Sequence, residues 1–314
     1  MSPDKTAQKT GLIAEVLKAF DDLNGLHPGF RPVHAKGLLL SGVFTPSLSG
    51  QALTRAPHLH RQQTPVTVRL SDFAGVPSIP DNNPDASPRG FAIRFHLAEH
   101  SHTDIVAHSV DGFPVRTAEE FAEFLRAAHA SGPGARRPTP IESFLGTHPA
   151  ALRFVQTPKP FPSSFAKESF FGVNAYRFTN EGGISTYGRY RIRPDGDGEY
   201  LDASAAAAKS SNYLFDEITT RIAKSPIVFR IRVQLAAQGD AVDDSTVQWP
   251  EGRPQVDFGR IELTGLTPNN NAEQRHIIFD PIPRVDGIDP SGDPLLEPRA
   301  DVYLASGRRR RSAP

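Results

Sequence analysis

Apolar residues between Thr6 and Leu23 recur at helical spacing. Ile13, Val16, Phe20 and Leu23 fall on one face, and Asn24-Gly25 stops the pattern, which predicts an amphipathic helix. The rhythm then changes. Leu38 to Phe44 is a short apolar run, and Pro65 to Asp72 alternates, with Val66, Val68 and Leu70 on one side and Arg69 and Ser71 on the other. Phe91 to Leu97 and Thr103 to Ser109 continue as strands. Two capping boxes then open helices: Thr117-Ala118-Glu119-Glu120, followed by Phe121, Phe124, Leu125 and Ala128 on one face, and Thr139-Pro140-Ile141-Glu142. The Pro- and Phe-rich stretch from Thr157 to Phe171 has neither period and predicts an irregular segment wrapping the surface. Strands resume at Gly183 to Arg193, Val228 to Ala236, Gly259 to Leu266 and His276 to Phe279, with a helix at Asn212 to Lys224. Pro294-Leu295-Leu296 starts a last helix. Strands and helices fall in blocks, which indicates an α+β fold and not a doubly wound sheet.

The 314 residues suit one large domain or two small ones and are enough to bury a sizeable core. Basic and acidic residues balance at 35 each, so no global field draws nucleic acid. The one basic run, Arg308 to Arg311, is either a solvated, frayed tail or an anion clamp. Because there is no cysteine, disulfides, Cys-ligated zinc, iron–sulfur clusters and thiolate-bound haem are excluded. The same lack leaves no thiol for peroxide to oxidise. No stretch approaches the roughly 20 apolar residues of a membrane span. The N-terminus lacks the basic-then-apolar pattern of a secretion signal. The expectation is a cytoplasmic protein with no membrane partner.

Three short stretches carry candidate chemistry: Arg31-Pro32-Val33-His34-Ala35-Lys36-Gly37, Val68-Arg69-Leu70-Ser71, and Arg299 followed four residues later by Tyr303. Taken singly, His34 reads as an ordinary surface or core histidine and Arg299/Tyr303 as a surface pair. Together and in this order they resemble the haem-containing catalase family. Its distal motif reads R-x-V-H-A-K-G, its next motif V-R-F-S, and its ligand motif has an Arg four residues before a Tyr. Pro88-Arg89-Gly90-Phe91-Ala92, Trp249-Pro250, Asp280-Pro281 and Asp289-Pro290-Ser291 are weaker echoes in the same order. The resemblance covers about residues 25 to 311. It implies a single domain over 1–314, with an N-terminal helix over 1–24 and a ligand helix and basic tail over 294–311. It further implies a closed, antiparallel eight-stranded β-barrel core with surrounding helices; the residue pattern alone gives only α+β.

The resemblance also implies roles. Tyr303 is the expected axial ligand of haem iron, a recognised mode of holding haem. A phenol is neutral at pH 7 and a ligand phenolate is not, so Arg299, one helical turn away, is expected to supply adjacent positive charge. His34 is the expected distal acid–base group, and Ser71 is expected to fix its tautomer. Arg31, Arg69 and Arg310 resemble the clamp on the two haem propionates, where the guanidinium fork suits carboxylates. Phe113 is expected over the haem edge. The implied cofactor is haem b.

Two departures shape the expected activity. Full-size catalases carry a distal Asn in a segment like D-L-V-G-N-N. Here the segment is Asp104-Ile105-Val106-Ala107-His108-Ser109, which puts His108, a group able to carry charge, at the Asn position. The chain also stops at Pro314, shortly after Tyr303, without the C-terminal region that helps full-size catalases hold NADPH. No Gly-rich dinucleotide fingerprint appears, so no NADPH is expected. Abbreviated chains of this kind resemble the catalase-related peroxidases. The resulting expectation is a haem peroxidase that reduces hydrogen peroxide or an organic peroxide with an organic electron donor, has weak catalase activity and forms a homodimer. The alternatives are a fatty-acid hydroperoxide isomerase or lyase and a non-catalytic haem-binding or storage protein.

Overall fold

The alternating stretches pair into a barrel. Twelve strands occur among the described residues: β1 (Gly37–Pro46), β2 (Thr64–Ser71), β3 (Gly90–Ala98), β4 (Ser101–His108), β5 (Phe161–Pro162), β6 (Phe170–Phe171), β7 (Tyr176–Thr179), β8 (Ser185–Pro194), β9 (Tyr200–Leu201), β10 (Ile227–Leu235), β11 (Gln255–Leu266) and β12 (Ile288–Pro290). The order β1-β2-β3-β4-β6-β8-β10-β11 returns to β1, so eight antiparallel strands close on themselves and leave no free edge within the ring. β7 and β12 extend the sheet beyond β8, and β5 pairs with β9 in a separate ladder. This computed structural model describes residues 3–314, with side chains from residue 9 onward. The first two residues of the expected 1–24 helix lie outside it. The rest of that helix is present as Pro3–Asn24, and Gly25 leaves it at a left-handed φ of 81°.

Alternation along each strand sends one set of side chains into the barrel. Phe44, Phe95, Tyr190 and Phe258 meet there edge-on or tilted at 5.1–6.1 Å and are 0–3% exposed. Burying each such side chain is worth about 1.5–3 kcal/mol. Among these rings sits His58, 1% exposed and with Nδ1 lacking any partner. Burial, with Arg61 and His60 nearby, lowers its pKa to about 3. His58 therefore stays neutral in the fold but charges in the unfolded chain below about pH 6.5. The unfolded state then binds the extra proton, so this residue's contribution is intact above pH 6.5 and is lost as pH falls toward 3. His58→Phe should accordingly gain on the parent by about 1.4 kcal/mol per pH unit in that window. Urea unfolding at several pH values measures this, and a constant difference between the two proteins would remove the argument.

Three expectations are corrected. The stretch Thr157 to Phe171 does not wrap the surface: Phe165 and Phe170 are fully buried, and Phe170–Phe171 is a barrel strand. His276 to Phe279 is not a strand. A helix runs from Asn270 to His276, and the backbone beyond it turns its carbonyls to arginine side chains. The basic tail is not frayed: the last helix spans Leu296–Ser312, with Arg309 paired to Asp21 at 2.6 Å and Arg310 3% exposed.

The N-terminal helix packs on the helix Ala118–His129, with Phe20 against Phe121 at 5.7 Å. It also packs on the C-terminal helix. These three helices and the barrel wall enclose one cavity.

Candidate active site

His34 lies just ahead of β1, at a left-handed φ of 56°. A residue with a side chain rarely rests there. Two hydrogen bonds hold it: His34 N donates to the Phe73 carbonyl at 2.6 Å and Ala35 N to the Ala74 carbonyl at 3.0 Å. The Phe73 ring meets the imidazole edge-on at 5.4 Å. The β1–β2 register sets Gly37 opposite Ser71, and Ser71 Oγ then lies 3.1 Å from His34 Nδ1. Gly90 on the adjoining strand makes room for this pair, since a Cβ there would fall 2.4 Å from Ser71 Oγ and 2.8 Å from Nδ1. Nε2 is left as the ring nitrogen free for the cavity. Burial, with Arg69 adding to it, lowers the pKa of His34 to about 3, so the ring is neutral at pH 7.

His108 ends β4 and lines the same cavity. Its Nδ1 accepts from Val110 N at 3.3 Å, which places the ring proton on Nε2. Burial, with Arg299 nearby, lowers its pKa to about 3 as well. At pH 7 this histidine, a residue type able to carry charge, is therefore a neutral N–H donor in the cavity that His34 also lines.

Tyr303 and Arg299 lie one turn apart on the C-terminal helix. Arg299 Nε donates to Tyr303 Oη at 3.0 Å and Nη1 to Asn174 Oδ1 at 2.6 Å. Asn174 Nδ2 donates in turn to Asp293 Oδ2 at 2.8 Å. Burial opposes the Arg299 charge, but Tyr303, Tyr176 and Asp293 outweigh it and hold the group protonated. The sequence reading missed Asn174 and Asp293. Asp293 precedes the Pro-led helix start and was findable as a helix-opening residue; nothing local marks Asn174.

Arg31, Arg69 and Arg310 converge through one segment. Arg31 donates to the carbonyls of Gln274 and Ile277, Arg310 shares the Ile277 carbonyl, and Arg69 Nε donates to Gln274 Oε1 at 3.1 Å. Gly37 leaves space for the Arg69 guanidinium, which would lie 2.3 Å from a Cβ there. Among the described residues no carboxylate pairs with any of the three, and Arg310 Nε is buried without a partner. Burial, with Arg310 adding to it, pushes Arg69 down to about 9; burial, with Arg311 and Arg309, pushes Arg310 to about 10; and burial, with Arg69 and Arg310, lowers Arg31 well below its usual range.

All the expected site residues therefore line one cavity of about 260 Å³: His34, Ser71, His108, Arg299, Tyr303, Arg31, Arg69, Arg310 and Phe113. Its remaining wall is largely apolar, with Phe20, Phe121, Phe154, Phe279 and Val302 prominent. A closed barrel flanked by such a cavity, with a tyrosine–arginine pair and a histidine–serine pair on its walls, matches one family along nearly the whole chain. The catalase family model covers residues 26–313, and the chain belongs to that family. Its members are haem-dependent and act on peroxide. A catalase-related peroxidase of Mycolicibacterium paratuberculosis is 33% identical over 94% of this chain and 94% of its own length. One from Synechococcus elongatus is 31% identical over 94% and 88%. A fungal catalase structure shares the fold at a TM-score of 0.79, with 22% identity over 94% of this chain and 61% of the other. The chain thus spans about six-tenths of that full-size enzyme.

The residues present fit a haem. Three arginines that pair with no carboxylate, two of them buried and one half-buried, suit a dianion such as two propionates. The apolar wall suits a porphyrin, and Tyr303 offers an oxygen ligand. Among the described residues no group of three or more His, Asp or Glu converges to hold a bare metal ion, and no helix is long and apolar enough to cross a membrane.

Proposed function

We propose that this protein is a haem b peroxidase that reduces hydrogen peroxide or an organic peroxide with an organic electron donor, with slow catalase activity and no NADPH. The observation that carries the reading is the pairing of His34 and His108, one neutral ring with a free nitrogen and one neutral N–H donor, in the cavity that also holds Tyr303. When bound, haem supplies the iron that binds peroxide and takes up its oxidising equivalents. Tyr303 would be the iron ligand, with Arg299 donating to its oxygen, while Asn174 and Asp293 fix the guanidinium; a neutral amide cannot remove its proton. Arg31, Arg69 and Arg310 would hold the propionates. His34 Nε2 takes the proton of one peroxide oxygen and returns it to the other. Because burial disfavours the imidazolium, the proton passes through His34 and does not rest there. His108 Nε2 donates a hydrogen bond that orients the peroxide.

Mixing the haem-loaded protein with peroxide and an aromatic donor tests the reading, with oxygen release and donor oxidation followed on one preparation. Donor oxidation should exceed oxygen release. Rearranged lipid from a lipid hydroperoxide without any donor would instead favour the isomerase or lyase, and no reaction at all a storage protein. His108→Asn should raise oxygen release relative to donor oxidation. An amide brings an acceptor as well as donors, so it can hold a second peroxide while His34 keeps its proton role. An unchanged ratio would show that His108 does not decide between the two reactions.

A further inference from the structure

Behind the His34 loop lies a buried ionic cluster that the proposed reaction does not use. Asp72, Asp81 and Arg89 have side chains that are 0% exposed, and Lys36 is 14% exposed. None of the four lines the cavity. Arg89 Nη1 donates to Asp72 Oδ1 and Nη2 to the Asp81 carbonyl. Lys36 Nζ donates to Asp81 Oδ1 and lies 4.0 Å from Asp72 Oδ2. Asp81 Oδ2 accepts from Leu214 N at 2.7 Å. Asp72 Oδ2 is buried with no hydrogen-bond partner. Such an oxygen is costly as part of an anion but not as a hydroxyl turned to the neighbouring Asp81 carboxylate. Burial accordingly raises Asp72, against the pull of Arg89 and with the help of Asp81, to about 7.

The cluster is tied to the site at both ends. Lys36 follows His34 by two residues and Asp72 follows Ser71 directly. Asp72 N donates to the Lys36 carbonyl at 3.1 Å, and the next two carbonyls, of Phe73 and Ala74, are the ones that hold His34 and Ala35. A left-handed histidine persists only where its surroundings over-determine it.

We propose that Asp72, with Lys36 and Asp81, is a positioning residue for His34: the proton shared by the two carboxyls keeps residues 72–74 seated, and its loss loosens their hold on the imidazole. The inference rests on His34 as the proton-handling group. The other charged or titratable groups facing the cluster are Arg89, Arg69 from β2, Tyr213 from the helix Tyr213–Ile222, and Glu168 ahead of β6. Burial also raises Glu168, to about 6, so it needs its own control.

The test compares the parent, Asp72→Asn, Asp81→Asn and Glu168→Gln across about pH 6 to 8.5. Asparagine mimics the protonated acid, accepting from Arg89 and donating to Asp81. The parent's rate with peroxide should fall about tenfold as pH rises, a fraction of the roughly hundredfold that a 1 Å misplacement costs. It should stay flat in Asp72→Asn and Asp81→Asn and keep the parental slope in Glu168→Gln. Nitrogen NMR of the His34 ring in the haem-free protein, assigned by loss of the signal in His34→Ala, reads the same event without activity. His34 itself titrates near 3, so a signal that moves near neutral pH in the parent but not in Asp72→Asn supports the inference. A His34 signal fixed over this range in the parent overturns it, as does a parental pH slope in both Asp variants. If instead His34→Ala reacts at the parental rate, the proton role of His34 is what fails, and the NMR comparison still decides the positioning.

Discussion

Tyr303→Phe is expected to bind haem at least roughly 100-fold more weakly than the parent, and the haem it does hold should give a different absorption spectrum. The substitution removes one oxygen and leaves the ring. Arg299 Nε loses its acceptor at 3.0 Å but keeps Asn174, so the helix and the cavity wall should survive. The three arginines proposed to meet the propionates and the apolar wall would remain to hold a porphyrin loosely. Changes in residues that merely orient a ligand cost about 10–100-fold in metal affinity, so losing the ligand itself should cost no less. Titration of the haem-free protein measures the affinity directly. Parental affinity with an unchanged spectrum would rule Tyr303 out as the ligand.

His34→Ala is expected to retain haem while its reaction with peroxide slows at least about 100-fold, the lower end for losing one general acid–base group. His34 touches none of the groups that would hold the cofactor except through its backbone carbonyl, which accepts from Arg69 at 2.9 Å and is kept in the variant. Alanine fits poorly at a φ of 56°, whereas asparagine tolerates that conformation. His34→Asn therefore separates the lost proton transfer from any backbone strain and should be similarly slow. Rapid mixing with peroxide gives both rates. A parental rate in either variant would pass the proton role to another group, with His108 the nearest candidate.

The barrel was legible to the extent that its strands obey a period. Seven of its eight strands were expected within a few residues, because each is long enough to show an apolar run or an alternation. The eighth, Phe170–Phe171, is two residues long, and no period exists at that length. The run His276-Ile277-Ile278-Phe279 looks like a strand by composition. Its carbonyls serve Arg31, Arg94, Arg310 and Arg311 instead of a neighbouring strand. The motif residues gathered in one cavity as expected because each sits on or beside a regular element. Asn174 escaped notice because it lies in the turn between β6 and β7, where no pattern distinguishes a functional amide from any other. The neutral state of His108 was equally invisible, since it follows from enclosure beside Arg299 and not from sequence position.

The cavity walls come from opposite ends of the chain. Val16 and Phe20 belong to the N-terminal helix, Tyr303 and Arg310 to the C-terminal one, and Asp21 with Arg309 joins the two. During synthesis the barrel strands are all made before the helix that carries Tyr303 emerges. The pocket therefore closes only when that helix docks, and firm loading of the cofactor belongs after that step. Until it docks, Phe20, Phe121 and Phe124 would line an open, apolar half-pocket that faces water.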